Sequence, residues 1–344
     1  MSKRIRIAID LAKTVFQLAI SDRPGKVTRK PRLKREELLP FLAQQPAAVV
    51  FMEACGSAHF WARKIERLDH RVVLLPPHHV KPYVRGNKTD RSDACGILDA
   101  GGNEDLNPVP IKSLDQQQLT AIHRLRSGWM AERTRRLNSI RGLLREFGII
   151  IPVGANKVVA AAWASIEDAD AEIPDAFRPV LAEACHEVRQ IEERIGVAER
   201  QIEALAKQIP TVALLRTIPG IGLLIATALV AWIGDAKRFR SGRHLSSFVG
   251  LTPREFSSGL KRYLGRISKR GDVYLRSLLI QGARSFLIHA PQYEGDRFAG
   301  WALRLSRTSH HNKVATAVAN KMARVAWAVW TKGQPYDKLF GRAA

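Results

Sequence analysis

Residues 5–20 read IRIAIDLAKTVFQLAI, and residues 47–53 read AAVVFME. In the first run Ile5, Ile7 and Ile9 alternate with Arg6 and Ala8, the period-two pattern of a strand with one buried face, and Asp10 stands at its end. After a short turn through Ala12-Lys13-Thr14, Val15 to Ile20 reads as a second strand, closed by the turn residues Asp22-Arg23-Pro24-Gly25. The two suit a hairpin. The second quoted run is continuously apolar, as a central strand buried on both faces would be, and it too ends in a carboxylate, Glu53. A helical pattern over Ala58 to Leu68 leads to another apolar strand, Val72 to Leu75, stopped by Pro76-Pro77. Strands alternating with helices place the first hundred residues in the α/β class.

Downstream the pattern becomes helical. Residues 114–148 predict one long helix, with Leu119, Ile122, Leu125, Trp129, Leu137, Ile140, Leu144 and Phe147 mostly three or four residues apart. Arg124, Arg126, Arg133, Arg135, Arg136, Arg141 and Arg145 decorate it, an expected contact surface for a phosphate backbone if it is not simply a solvated face. A break at Ile151-Pro152-Val153-Gly154 follows. Leu181, Ala184, Val188, Ile191, Ile195, Ala198, Ile202, Leu205 and Ile209 then recur at alternating steps of three and four, a heptad seam. Such a seam predicts a coiled coil and self-association, or else a helix packed on its own domain. Ile218-Pro219-Gly220-Ile221-Gly222, ahead of Leu223 to Ile233, has the form of a helix-hairpin-helix turn or of a plain tight turn between packed helices. Residues 250–271, GLTPREFSSGLKRYLGRISKRG, carry six cations, among them Arg254, Lys261, Arg262 and Arg266, and no strong period. They read as a loop for contact. Helical patterns resume over Val273 to Ala290 and Asn312 to Trp330.

The chain has 344 residues, with 55 Lys and Arg against 32 Asp and Glu, a net charge of +23. An excess this large on a chain with 46% hydrophobic residues marks a folded protein that holds a polyanion, because each neutralised phosphate releases counterions. Nucleic acid is the leading partner class. Cys55, Cys95 and Cys185 are too far apart for a CxxC pair, which argues against a disulfide framework or zinc ribbon and suits a reducing cytoplasm. The start, MSKRIRIAIDLAK, is no signal peptide, and no apolar run reaches the roughly 18 residues of a membrane span. The expectation is a soluble, intracellular, cytoplasmic protein. His78-His79 and His310-His311 are adjacent pairs, a poor spacing for zinc.

Four acids deserve weighing in so basic a chain. Asp10 and Glu53 end strands, and Asp90 and Asp93, in NKTDRSDA (87–94), share one face at the start of an expected helix. Singly, each has an ordinary role: a turn, a helix cap, a dipole partner, an ion pair. Together they are how a ribonuclease-H-like sheet assembles a two-metal site on a phosphodiester, and all-oxygen ligands suit Mg²⁺.

The strings AIDLAK, FMEACGSAHFWAR and HHVKPYVRGNKTDRSDA resemble the DEDD transposase domain of the insertion-sequence-110 family, and the wording is most similar to its insertion-sequence-1111 subgroup. TIPGIGLLIATALVAWIGD, FRSGRHLSSFVGLTPREFSSG and LGRISKRGDVYLRSLLIQGAR extend the likeness, which covers about residues 5–335. The resemblance implies an RNase H/RuvC-like α/β domain (1–110), a helical coiled-coil region (111–210) and a helical C-terminal transposase domain (211–344). It also implies a DNA recombinase guided by a bridge RNA or seekRNA that pairs with donor and target DNA, working as a homo-oligomer, a dimer or a dimer of dimers. Carried over by position, Asp10, Glu53, Asp90 and Asp93 would hold Mg²⁺. Ser258, before Gly259, would be the nucleophile that forms a phosphoserine link, with Ser257 as its neighbouring rival; relatives often carry a second glycine where this chain has Leu260. Cations at Arg254, Lys261 and Arg262 would then face the developing phosphorane, since a serine hydroxyl needs activation and the transition state needs positive charge. Nucleic-acid contacts are expected from Arg124, Arg126, Arg133, Arg136, Arg141, Arg254, Lys261, Arg262 and Arg266. The rival readings are a Mg²⁺-dependent junction nuclease with no covalent intermediate, and a non-enzymatic RNA- or DNA-binding scaffold.

Overall fold

A computed structural model describes residues 5–23, 26–85, 87 and 89–339. The turn expected at Pro24-Gly25 lies outside the described residues. The chain divides into two compact units, Met1–Ser113 and Leu114–Ala344. The first is α/β and the second is mostly helical.

The first unit contains β1 (Arg6–Leu11), β2 (Val15–Ser21), β3 (Arg32–Lys34), α1 (Leu38–Ala43), β4 (Val49–Glu53), α2 (Ala58–Glu66), β5 (Arg71–Leu75), a single turn α3 (Pro77–Val80) and α4 (Asp90–Gly101). The strand order is β3-β2-β1-β4-β5. β1 pairs antiparallel with β2, and β2 with β3; β1 pairs parallel with β4, and β4 with β5. Because side chains alternate across a strand, β1 and β4 each feed two cores. Ile7, Ile9, Val50 and Met52 join Leu38 and Leu42 of α1 and Trp61, Ala62 and Ile65 of α2 on one face. Ala8, Ala19, Phe51 and Leu75 join Ala94, Ile97 and Leu98 of α4 on the other. The result is a three-layer α/β/α unit.

The second unit runs α5 (Leu114–Glu146), α6 (Asn156–Glu167), α7 (Arg178–Ala206), α8 (Pro210–Leu215), α9 (Leu223–Ile233), α10 (Gly242–Phe248), β6 (Pro253–Glu255), β7 (Leu264–Ile267), α11 (Val273–His289), α12 (Arg297–Thr308) and α13 (His311–Lys332). It holds both the helical stretch up to residue 210 and all that follows it. The heptad seam of α7 is buried inside the chain: Leu181, Val188, Ile191, Ile195, Ala198 and Ile202 are all at most 8% exposed. α5 runs antiparallel alongside, since Arg126 meets Glu199, Arg133 meets Glu192 and Arg136 meets Glu187, the first two pairs one heptad apart. Of the two readings of the seam, a helix packed on its own domain is the one seen within the chain. The apolar stripe finds its cover mainly in α5, α6 and α9.

α9 and α13 form the centre of the remaining core with α11. Gly220 has φ +83°, and a Cβ there would lie 2.6 Å from the Met322 side chain and 2.9 Å from the carbonyl of Gly282. Gly220 thus packs the turn between α8 and α9 closely against α11 and α13, while a Cβ on Gly222 would meet open space. Among the described residues no helix is long and apolar enough to cross a membrane.

Candidate active site

Asp10 and Glu53 are placed by the register of the parallel pair. Ile9 sits opposite Met52, so the next residue on each strand is a carboxylate, with the strands about 4.8 Å apart. Alternation puts both acids on the face of Ala8 and Phe51, the face covered by α4. Both are half-buried.

The direction of α4 follows from its far end. A Cβ on Gly101 would meet the Phe51 ring at 2.4 Å, and one on Gly102 would lie 3.5 Å from the Arg6 guanidinium, so the C-terminus of α4 rests over the start of β1. From Gly101 back to Asp93 the helix rises about 12 Å, and from Arg6 to Asp10 the strand advances about 13 Å. The helix therefore starts toward the end of the sheet where β1 finishes, with Asp90 and Asp93 in its first turn. Asp93 is half-buried and Asp90 exposed.

Neither of these acids caps the helix. Thr89 is the N-cap: its hydroxyl accepts from the Ser92 amide at 3.2 Å, and the Ser92 hydroxyl accepts from the Thr89 amide at 3.0 Å. Asp90 and Asp93 remain as negative charge in the first turn, which the helix dipole favours. Among the described residues no group of three or more His, Cys, Asp or Glu stands close enough to hold a metal ion. The four acids occupy one face and one end of the unit without closing into a ligand cluster, and as donors they are the carboxylate oxygens that a hard divalent cation takes.

Ser258 lies in the second unit, in a feature that residues 250–271 did not reveal in advance. β6 and β7 form an antiparallel hairpin whose ladder continues past the strands, with the Phe256 amide donating to the Tyr263 carbonyl at 2.9 Å. Ser258 and Lys261 close its tip, each amide donating to the other's carbonyl at 3.2 Å. Gly259, first of the two turn residues, has φ +55°, the left-handed region that such a turn requires there. Leu260 follows fully exposed, so a single glycine suffices for the turn. Ser257 is engaged: its hydroxyl donates to the Glu255 carboxylate at 2.7 Å and accepts from the Tyr263 amide at 3.2 Å. The Ser258 hydroxyl is exposed and makes no hydrogen bond among the described residues.

The hairpin is fixed at its base. The Ser268 amide donates to Thr252 and the Lys269 amide to Gly250. Arg276, only 7% exposed, donates to the carbonyls of Val249 and Arg270, both at 3.1 Å. Gly250, at φ +78°, allows Arg270 to pass so closely that a Cβ would lie 2.0 Å from its carbonyl.

The cations expected at nucleic acid divide. Arg126, Arg133 and Arg136 are ion-paired to α7, and Arg141 donates to the Gly154 carbonyl at 3.1 Å. Arg124 is exposed, as are Arg135 and Arg145, with no ion pair among the described residues. On the hairpin, Arg262 pairs with Glu255 at 3.4 Å and Arg254 donates to the Ser268 carbonyl at 3.3 Å, while Lys261 and Arg266 are exposed. His78 and His79 stack edge to face, and His310 caps α13 through Nδ1. Cys185 is buried in the α5-α6-α7 core, and all three cysteines are free thiols.

Two family profiles account for most of this chain. That of the DEDD transposase domain of the IS110 family, described as Transposase, matches residues 7–149, and that described as Transposase IS116/IS110/IS902 family matches residues 212–298. The strand-end acids and the serine hairpin therefore belong to a transposase, an enzyme that acts on DNA and whose DEDD domain works with divalent cations. The chain is 40% identical to a probable family 20 transposase of Pseudomonas aeruginosa over 96% of its own length and 98% of the relative's. It is 37% identical to the transposase for insertion sequence element IS1328 of Yersinia enterocolitica, over 96% and 98%. With the transposase for insertion sequence element IS1111A of Coxiella burnetii it shares 36%, over 96% and 90%. The chain belongs to the IS110 family of transposases.

Proposed function

We propose that this transposase is an RNA-guided DNA recombinase of an insertion sequence, that its first unit is a RuvC-like nuclease core, and that Ser258 forms a covalent link to DNA. The observation that supports the reading is that Asp10 and Glu53 stand at neighbouring positions on adjacent parallel strands, on the sheet face that α4 covers. The strand order β3-β2-β1-β4-β5, antiparallel then parallel, supports the RuvC-like assignment.

Asp10, Glu53, Asp90 and Asp93 would hold Mg²⁺. When bound there, the ion supplies positive charge for the oxygens of a phosphodiester and favours an ionised hydroxyl. Ser258 attacks the phosphorus: an Oγ–P bond forms, the P–O3′ bond breaks, the O3′ leaving group takes a proton and the serine hydroxyl gives one up. The product is a 5′-phosphoserine and a free 3′-hydroxyl, and the retained ester lets the strand be rejoined to another end. The exposed hydroxyl at the tip of a braced hairpin suits an attack on a large substrate. Lys261 and Arg262 beside it supply charge for the phosphorane. A bridge RNA or seekRNA would choose donor and target by base pairing, in line with a net charge of +23, and the working form would be a dimer of dimers in the cytoplasm.

The test is to purify the protein from cells that carry the flanking element DNA and to sequence the nucleic acid that accompanies it. A single structured RNA encoded beside the gene is the expected result. Recovery of bulk cellular RNA without enrichment would remove the guide from the reading.

A further inference from the structure

A cleft of about 880 Å³ opens in the second unit between the turn at 290–296, α12 and α13. Lys321, Arg304 and Arg324 line it, and among the described residues none of the three has a carboxylate in ion-pair reach. The Lys321 ammonium lies 4.2 Å from the centre of the Trp301 ring and 5.3 Å from that of Phe298. Burial lowers the pKa of Lys321, Arg324 and Arg304 lower it further, and Asp296 works the other way. Asp296 is already engaged: its carboxylate accepts from the amides of Phe298 and Ala299 at 2.7 and 2.9 Å and from the Tyr336 hydroxyl at 3.0 Å. With Arg297, four cationic residues and the carboxylates of Glu294 and Asp296 line a concave surface beside a half-exposed indole.

We infer that this cleft holds one unpaired nucleotide of a nucleic-acid strand, its phosphate between Lys321, Arg304 and Arg324 and its sugar or base against Trp301. An isolated small anion would explain the cations but neither the volume nor the aromatic wall. A cationic groove with an aromatic platform is how single strands are held without regard to sequence. A duplex keeps its bases stacked inside and offers the wall nothing. The cleft lies apart in sequence from the DEDD carboxylates and from the Ser258 hairpin. The inference deepens the proposed function, since strand exchange requires unpaired nucleotides to be held.

The experiment uses the full chain carrying Ser258→Ala, so that binding is read without strand cleavage. Fluorescence anisotropy follows short 5′-phosphorylated single strands of DNA, the same sequence in RNA, and the matched DNA duplex. Arg304→Glu with Arg324→Glu, both at exposed positions, should weaken single-strand binding at least about tenfold and lower the salt slope by roughly 1.4. Trp301→Ala should weaken it about fivefold or more with the slope unchanged, and Trp301→Phe should restore most of the loss. Losses on DNA alone, on RNA alone or on both support the inference and identify the strand. Unchanged single-strand affinity in both variants overturns it, as do equal losses on the duplex, or a loss in the arginine variant with Trp301→Ala neutral. Formation of a serine adduct by the unmodified chain is a separate readout, so failure of either reading leaves the other standing.

Discussion

Asp10 and Glu53 stand one residue beyond the Ile9–Met52 pair of two parallel strands, on the sheet face that α4 covers. This relationship predicts that Asp10→Asn and Glu53→Gln each lower DNA cleavage at least about 100-fold, because electrostatic stabilisation by a bound cation is worth several kcal/mol. Removing a half-buried charge at a strand end should leave the melting temperature within a few degrees. Cleavage assays beside thermal melts check both halves, and full activity in either variant would contradict the metal site.

The arginines of α5 should separate into two groups with different readouts. Arg126 lies against Glu199 with side-chain exposures of 13% and 44%, a partly screened pair worth about 1 kcal/mol, so Arg126→Ala should lower the denaturant midpoint. Reversal of Arg124, Arg135 and Arg145 to Glu should leave stability nearly unchanged. It should instead weaken duplex binding and reduce the salt slope by about 3. Salt titrations of binding and urea melts on both sets test the division; equal effects on binding would erase it.

A buried histidine makes folding sensitive to mild acid. His123 is fully buried between α5, α9 and α11, with Nδ1 2.9 Å from the Tyr274 hydroxyl and Nε2 3.0 Å from Thr227. Because Thr227 gives its own proton to the Leu223 carbonyl, Nε2 is the donor and Nδ1 accepts from Tyr274. Burial, and secondarily the charge of Arg126, lower its pKa to about 4. A histidine held neutral contributes full stability above the unfolded value of about 6.5 and loses it as pH falls toward 4, on the order of 3 kcal/mol in all. Urea midpoints measured from pH 7 to pH 4.5 should fall, and should fall much less in His123→Gln.

The candidate site was legible in the sequence where it rests on strands and less so where it rests on partners. β1, β2, β4 and β5 show as apolar runs because their side chains enter one or both cores, and the acids at the ends of β1 and β4 follow from them. β3 is three residues, Arg-Leu-Lys, at a sheet edge, with too few side chains for a period. α1 carries Pro40 in its first turn, which reads as a breaker although an unbonded amide there costs nothing. The β6–β7 hairpin buries almost none of its side chains, so no alternation marks it. The heptad seam of α7 was correct as a seam, but a pattern specifies which face is covered and not which helix covers it. Arg126 and Glu199 are 73 residues apart, so nothing local could tell a paired arginine from a free one.

The hairpin's base should prove as sensitive as its tip. Gly250 combines φ +78° with a position where any Cβ would strike the Arg270 carbonyl at 2.0 Å. Gly250→Ala should therefore cost about 3 kcal/mol or more, or displace the hairpin. Gly259→Ala meets open space and bears only the left-handed φ of +55°, so the cost should be near 1 kcal/mol. Thermal melts rank the two, and equal destabilisation would contradict the description of the base.

Ser258 offers the most direct test. With element DNA, its RNA and Mg²⁺, the unmodified chain should form a protein–DNA adduct that survives denaturing electrophoresis, and mass spectrometry should place the phosphate on Ser258. Ser258→Ala should abolish the adduct while DNA binding persists, and Ser257→Ala, whose hydroxyl is tied to Glu255 and Tyr263, should retain it. Adducts that persist in Ser258→Ala, or cleavage by the unmodified chain with no adduct at any time, would contradict the assignment and leave a hydrolytic nuclease in its place.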